Sequence, residues 1–207
     1  HIEYVEELLL SSKNATLIAN DVGEILIPRL LRECEKNFLV QLLRIVLGYR
    51  VNQSRRRPEY ESILEDHWLA RAIERNKSAI GQSIPQDAAN IGLELMHEIV
   101  RRNAESFSYV YIPTIEDHDQ TRFRDRYECQ LTYFTRDMLV LLSESETASF
   151  VRILIREKHA IFVRLALFLI TQKYEACSSM FWSIRWNPLD RIAITHELFQ
   201  LIDLHAA

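Results

Sequence analysis

The sequence predicts an all-α fold, either an irregular α-solenoid of HEAT- or TPR-like helix pairs or a compact helical bundle. Three observations predict it. Residues 159–173 (HAIFVRLALFLITQK) are apolar on every side apart from Arg164, so this helix has no solvent face and other helices must surround it. Between residues 123 and 142, Phe123, Tyr127, Leu131, Phe134, Met138 and Leu141 recur at steps of three and four, the repeat of an amphipathic helix. Only 4 Gly and 5 Pro occur in 207 residues, which leaves few places for tight hairpin turns. No strict period emerges between the helices. Their lengths and antiparallel spacing resemble pairs of about 40 residues, and the solenoid is preferred because no helix apart from 159–173 looks buried all round.

In chain order, residues 2–12 read as a short helix with Tyr4, Val5, Leu8 and Leu9 on one side. Asn20 and Asp21 are placed to cap a second helix carrying Val22, Ile25, Leu26, Leu30 and Leu31, which Pro28 must kink or break. Phe38, Leu39, Leu42, Leu43, Val46 and Leu47 make the next apolar face, and Gly48 stops it. Residues 49–58 read as a loop whose Arg55, Arg56 and Arg57 are solvated, because no aromatic or glycine framework accompanies them. A long helix is expected over 59–79, with Ile63, Leu64, His67, Trp68, Arg71 and Ile73 near its inner side. His67 is read there as half buried and satisfied by a neighbour, with a ligand role as the alternative. Residues 81–85 end that helix, and Ser83 and Pro85 start another with Ala88, Ile91, Leu95, Ile99 and Asn103 down one face. Its His97–Glu98 pair is not a metalloprotease motif, since Arg101 stands where the second His belongs.

Beyond the 123–142 helix, residues 143–147 read as a short turn. Phe150, Val151, Leu154 and Ile155 then give a brief helix before the core helix. Arg164 inside the core needs an acidic partner, because an unpaired buried charge costs several kcal/mol (order of magnitude). Asp137 and the acidic residues at 116–119 are the candidates. Two shorter helices, 176–186 and 190–204, follow on either side of Pro188, with Trp182, Trp186, Leu198, Phe199 and Ile202 available to close the stack.

The totals narrow the function classes. A net charge of -4 with pI near 6.0 argues against nucleic acid as the main partner. Only five of the 25 basic residues are Lys, and the Arg excess suits fork-shaped pairing with carboxylates between helices. Cys34, Cys129 and Cys177 are odd in number and widely spaced, so neither a zinc ribbon nor a disulfide framework is indicated. With no signal peptide, and an apolar run shorter than the roughly 20 residues a bilayer needs, the expected location is cytoplasmic, without a membrane partner. The chain opens at His1 directly in an apparent helix. It is therefore expected to be one helical-repeat domain, 1–207, cut from a longer polypeptide, with a subdivision into 1–105 and 106–207 as the alternative.

Potential chemistry concentrates in one place. In residues 106–122 (SFSYVYIPTIEDHDQTR) the helical rhythm breaks, and Glu116, Asp117, His118 and Asp119 crowd carboxylates around one imidazole. A metal-dependent hydrolase would want such groups converging on one ion. Four adjacent residues cannot all point to one centre, so the favoured reading is an inter-helix segment whose acids cap the next helix and pair with Arg122, Arg124 and Arg126. No phosphate loop, dinucleotide fingerprint or nucleophile elbow occurs, so no catalytic, cofactor or metal residue is assigned and an enzyme is not expected.

Three stretches, SYVYIPTIEDHDQ, TRDMLVLL and IFVRLALFLI, resemble the helical C-terminal region of large bacterial NACHT- or STAND-type ATPases linked to antiphage defence. The matching positions are Tyr111, Ile112, Pro113, Ile115, Glu116, Asp117, His118 and Gln120, then Arg136 and Asp137, then Phe162, Arg164, Leu165, Ala166 and Leu167. The Arg that precedes the Pro in that family's segment is missing. The resemblance spans about a third of the chain. It implies a protein-binding sensor that grips a phage protein and promotes homo-oligomerisation of a longer chain. It makes Tyr111, Glu116, Asp117, His118, Gln120, Arg136, Asp137 and Arg164 structural or interaction residues, with Glu116 or Asp117 as the buried partner of Arg164. A purely structural helical spacer is the remaining alternative.

Overall fold

The computed structural model describes residues 2–11, 15–52, 59–116 and 126–205. Among these the chain is all-α apart from one short hairpin. No described helix is long and apolar enough to cross a membrane. Contacts divide the chain into two compact units, His1–Ile99 with Arg124–Met138, and Val100–Phe123 with Leu139–Ala207.

The first unit begins with α1 (Ile2–Ser11) and α2 (Ala15–Asp21). Asn20 and Asp21 do not open a helix: Asp21 has helical backbone angles and ends α2, and residues 22–26 form a π-turn before α3 (Ile27–Arg32). The Ile27 N–H reaches back five residues to the Val22 carbonyl. Pro28 accounts for the wider turn, since it has no N–H to give and would clash inside a regular helix. Placed in the first turn of α3 it lacks nothing. The expected kink is thus a π-bulge. Gly23 on this turn lets α5 (Asp66–Ser83) come close: an added Cβ would stand 3.0 Å from the Ala72 Cβ. Asn76 ties the contact by donating to the Gly23 and Ala72 carbonyls, both at 2.9 Å.

After α4 (Lys36–Val46) the chain departs from the expected loop and long helix. Tyr49–Asn52 is strand β1, paired antiparallel with Glu59–Ser62, strand β2, in the register Tyr49↔Ser62 and Val51↔Tyr60. Arg55, Arg56 and Arg57 lie outside the described residues. Aromatic and β-branched residues favour this pleated pairing. The Tyr49 and Tyr60 rings meet edge-on at 5.3 Å across the strands. Helix α5 starts only at Asp66, because the Ser62–Asp66 turn intervenes: the Asp66 Oδ1 accepts from the Ser62 N–H at 3.0 Å, and the Ser62 hydroxyl accepts from the Leu64 N–H at 3.1 Å. Its buried face is Leu69, Ala72, Asn76 and Ile80, rotated away from the expected Trp68 and Arg71, and His67 is exposed rather than half buried.

Helix α6 (Pro85–Arg102) starts where expected and buries Ala88, Ile91 and Ile99, but Met96 is buried in place of the expected Leu95, which with Asn103 is half-buried. Helix α7 (Tyr127–Val140) buries Tyr127, Leu131, Phe134 and Met138, whereas Leu141 is exposed just past its end and Phe123 lies outside the described residues. The wholly buried Tyr127 hydroxyl donates to the Leu47 carbonyl at 2.5 Å. Burial pushes this phenol well above its ordinary value, and it pushes the Cys129 thiol up to about 12.

In the second unit, α8 (Glu144–Leu154), α10 (Tyr174–Trp182) and α11 (Thr195–His205) pack around α9 (Ala160–Gln172), in which residues 161–171 are all buried. The expected turn at 143–147 is instead a helix start. Ser143 caps α8 through a reciprocal bond with Glu146, its N–H donating to the carboxylate at 2.9 Å. Of the five residues expected to close the stack only Leu198 is buried, and Trp182, Phe199 and Ile202 face solvent.

Two outcomes test the first unit. A Cβ at position 92 would lie 2.1 Å from the Thr135 hydroxyl oxygen and 3.1 Å from its Cβ, and that side chain is buried with its hydroxyl bonded to the Leu131 carbonyl at 2.7 Å. Gly92→Ala should lose about 1–3 kcal/mol in urea denaturation, the usual cost of overpacking, and Thr135→Ala on that background should return part of the loss. Equal stability of Gly92→Ala and wild type would refute the close approach.

Asp66 and Glu128 are both raised above ordinary carboxyl values, chiefly by desolvation. A raised acid contributes stability that is fully present below its unfolded pKa, about 4, and is lost as pH rises through its folded value. Glu128→Gln should therefore flatten the fall in stability between pH 4 and 7 and be more stable than wild type at neutral pH. A parallel pH profile for the two proteins would count against the assignment.

Candidate functional site

The segment that carries the family resemblance is built into the second unit by its backbone. After α6, the N–H groups of Tyr111 and Ile112 both donate to the Ser108 carbonyl at 3.0 Å, closing a turn that leads into Pro113. Ile112 and Ile115 are wholly buried, and the Thr114 hydroxyl donates to the Glu116 carbonyl at 2.8 Å. Buried backbone of this kind needs partners, because an unpaired buried N–H or carbonyl costs as much as a lost hydrogen bond.

Those partners are supplied by two charges from different helices. Arg164 on α9 is 1% exposed and Glu197 on α11 is 0% exposed. The Arg164 Nε donates to Glu197 Oε2 at 2.9 Å and its Nη2 to Oε1 at 2.8 Å, a fork-on-carboxylate pair. The remaining guanidinium nitrogen, Nη1, donates to the Ile112 carbonyl at 2.7 Å. Glu197 Oε1 also accepts the Ile115 N–H at 3.0 Å. The pair thus neutralises itself and pins the loop at two points three residues apart.

This corrects the expected pairing. Neither Asp137 nor Glu116 is the partner of Arg164. Asp137 belongs to the first unit, where its Oδ1 accepts from Arg136 Nε at 2.8 Å and Nη2 at 2.5 Å and its Oδ2 lies 3.6 Å from Lys77 Nζ. Arg136 is buried there with its guanidinium 5.0 Å from the Tyr133 ring. Glu116 points to α11 instead: its Oε1 accepts from the Gln200 amide, and its Oε2 is 4.0 Å from the His196 ring. Tyr111 is half buried. Asp117, His118, Asp119 and Gln120 lie outside the described residues. Among the described residues no group of three or more His, Cys, Asp or Glu side chains is placed to hold a metal ion.

Glu197, Gln200 and His196 were missed by the sequence reading. A signal for Glu197 was present, since it stands three residues after the buried Ile194 and four before the buried Leu201, on the apolar stripe of its helix. A lone acid on one stripe and a lone Arg in an apolar run are complementary. The arrangement is chemically quiet, because every charged atom of the pair already has a protein partner. It positions a loop and the outer face of α11.

Removing one member should therefore cost far more than removing both. Glu197→Leu is expected to lose about 3–5 kcal/mol, the usual consequence of orphaning a buried charge. Adding Arg164→Met should recover part of that, leaving a deficit of about 1–3 kcal/mol for the unpaired Ile112 carbonyl and Ile115 N–H. A double-mutant cycle in guanidinium denaturation reads the coupling directly, and additive losses would mean that the two side chains do not meet.

The chain matches no protein-family model, no curated protein and no solved structure.

Proposed function

We propose that this chain is a protein-binding helical-repeat module, the target-sensing C-terminal part of a bacterial STAND-type defence ATPase, rather than a catalyst. The observation that carries the reading is the two-sided character of α11. Its inner side is fixed by Glu197, Leu198 and Leu201, all buried. Its outer side presents Phe199 at 55% and Ile202 at 40% exposure, three residues apart on one helical face. Large apolar groups held outward on a rigid element support a protein contact, where such side chains supply most of the binding energy. The loop carrying the resemblance is anchored to the same helix, so target contact and family signature share one support. In this reading the partner is a phage protein, the setting is the bacterial cytoplasm, and assembly into homo-oligomers belongs to the longer chain.

The test is a pull-down of candidate phage proteins with this chain and with its full-length protein. Phe199→Asp with Ile202→Asp should weaken capture at least about tenfold, the equivalent of about 1.4 kcal/mol, while leaving helical content unchanged. No capture by either form of the wild-type protein would remove the sensor reading. Stoichiometric metal in the purified protein would instead favour the hydrolase alternative at 116–119.

A further inference from the structure

The core helix α9 starts on a residue that can change its charge. His159 has extended backbone, with φ -80° and ψ 133°, and stands as the N-cap, a place that Ser, Thr, Asp and Asn usually fill. Both of its ring nitrogens are engaged. The Ile161 N–H donates to Nδ1 at 3.3 Å, and Nε2 lies 2.7 Å from the Ala104 carbonyl oxygen. A backbone N–H can only donate and a carbonyl can only accept, so Nδ1 must be bare and Nε2 must carry the hydrogen. The two contacts together fit only the neutral ring. Through them one side chain joins the first turn of α9 to the chain that follows α6, within the second unit.

A proton on Nδ1 removes the cap. The imidazolium has two donors and no acceptor, so the Ile161 N–H then faces another N–H. Ile161 is wholly buried, and a buried N–H without a partner costs as much as a lost hydrogen bond. The new charge also lies at the positive end of the helix dipole, where cations are disfavoured. The Nε2–H bond to Ala104 gains from the charge, but it does nothing for the helix turn. Arg156, Glu157 and Lys158 precede the ring and Arg101, Arg102 and Glu105 flank Ala104, four cations to two acids, so the segments that meet here bring no surplus of acid. Around α9, α8 adds the exposed Arg152 in its last turn, and α11 adds His196, near Glu116, and Glu197, which is taken by Arg164. The chain before α11 adds Asp190, held by the Asn187 amide, and Arg191, stacked on Trp186. Glu175 of α10 lies past the opposite end of α9. At that end His205 is the counter-case, since its Nε2 lies 3.1 Å from the Thr171 carbonyl oxygen and a protonated ring keeps that bond. We infer that His159 is a proton-operated cap, which holds the first turn of α9 while neutral and lets it open once charged. The unfolded chain takes up the same proton without losing a bond, so stability falls as pH drops through the range in which histidine ordinarily titrates, about pH 6.5.

The test compares the whole wild-type chain with His159→Asn, whose amide oxygen can cap without titrating, and with His205→Gln. At about pH 8, above the ordinary histidine range, the ring nitrogen spectrum of His159 should show the neutral form protonated at Nε2. Lowering the pH to about 5.5, below that range, should reduce the hydrogen-exchange protection factor of the Ile161 amide by about fivefold, the worth of an ordinary N-cap. His205→Gln should keep that response and His159→Asn should lose it. In urea, the folding constant of wild type relative to His159→Asn should fall by about the same factor over the same step. An Nδ1-protonated neutral ring, an Ile161 amide whose protection ignores pH, or parallel pH profiles for wild type and His159→Asn would each overturn the inference. Should His159→Asn not fold, the ring spectrum and the Ile161 protection of wild type decide it alone.

Discussion

The second unit depends on one buried ion pair. Arg164 and Glu197 are both withdrawn from water, a transfer that costs several kcal/mol per ion and is offset only where geometry and extra hydrogen bonds are complete. Here they are complete, because the forked contact is joined by the Ile112 carbonyl and the Ile115 N–H. An apolar pair of similar volume would fill the same space with no desolvation cost, but it would leave those two backbone groups orphaned. The charges therefore fix where the loop lies against α9 and how α11 is rotated about its axis. The outward position of Phe199 and Ile202 is a consequence of that rotation.

The first unit is held by a different device, close approach. Gly23 lies against Ala72, and Gly92 against Thr135, in each case at a separation that a larger residue would violate. Small residues let backbones come near enough for side chains such as Asn76 to bond across elements. The Tyr127 hydroxyl does similar work at the end of α4. Overpacking is as costly as a cavity in such contacts, so the tolerance of this unit is set by volume and that of the second unit by charge pairing.

Within the second unit the basic side chains differ in how far they are withdrawn from water. Arg164 is buried and Lys173 half-buried, and both spend donors on the protein itself. Arg156 and Arg185 are exposed to solvent and make no ion pair among the described residues. Desolvated charges without partners are costly, so unpaired cations persist where water or a ligand can reach them. The outer face of α11 also leaves Phe199 and Ile202 exposed.

The sequence by itself determined the all-α class and the helices with the clearest periodicity. The 159–173 run is buried all round over 161–171 because it contains no polar stripe there, and α6 buries Ala88, Ile91 and Ile99 of the stripe read from its spacing. Such features are legible because periodicity is local: a side chain's face follows from its position in one helix. Hairpin β1–β2 escaped notice because its strands are four residues each, too short to separate from loop or helix by pattern. The π-turn around Pro28 was read as a kink, since sequence shows that a bond is missing but not how the chain accommodates it. The partner of Arg164 was decided only by tertiary structure. Sequence showed that a buried cation needs an acid, but Glu197 lies 33 residues further on, past two intervening turns. Nearby acids such as Asp137 are equally plausible until packing brings one of them within 3 Å. Burial is a property of a residue's own helix, whereas pairing is a property of two, and only the assembled core selects the second.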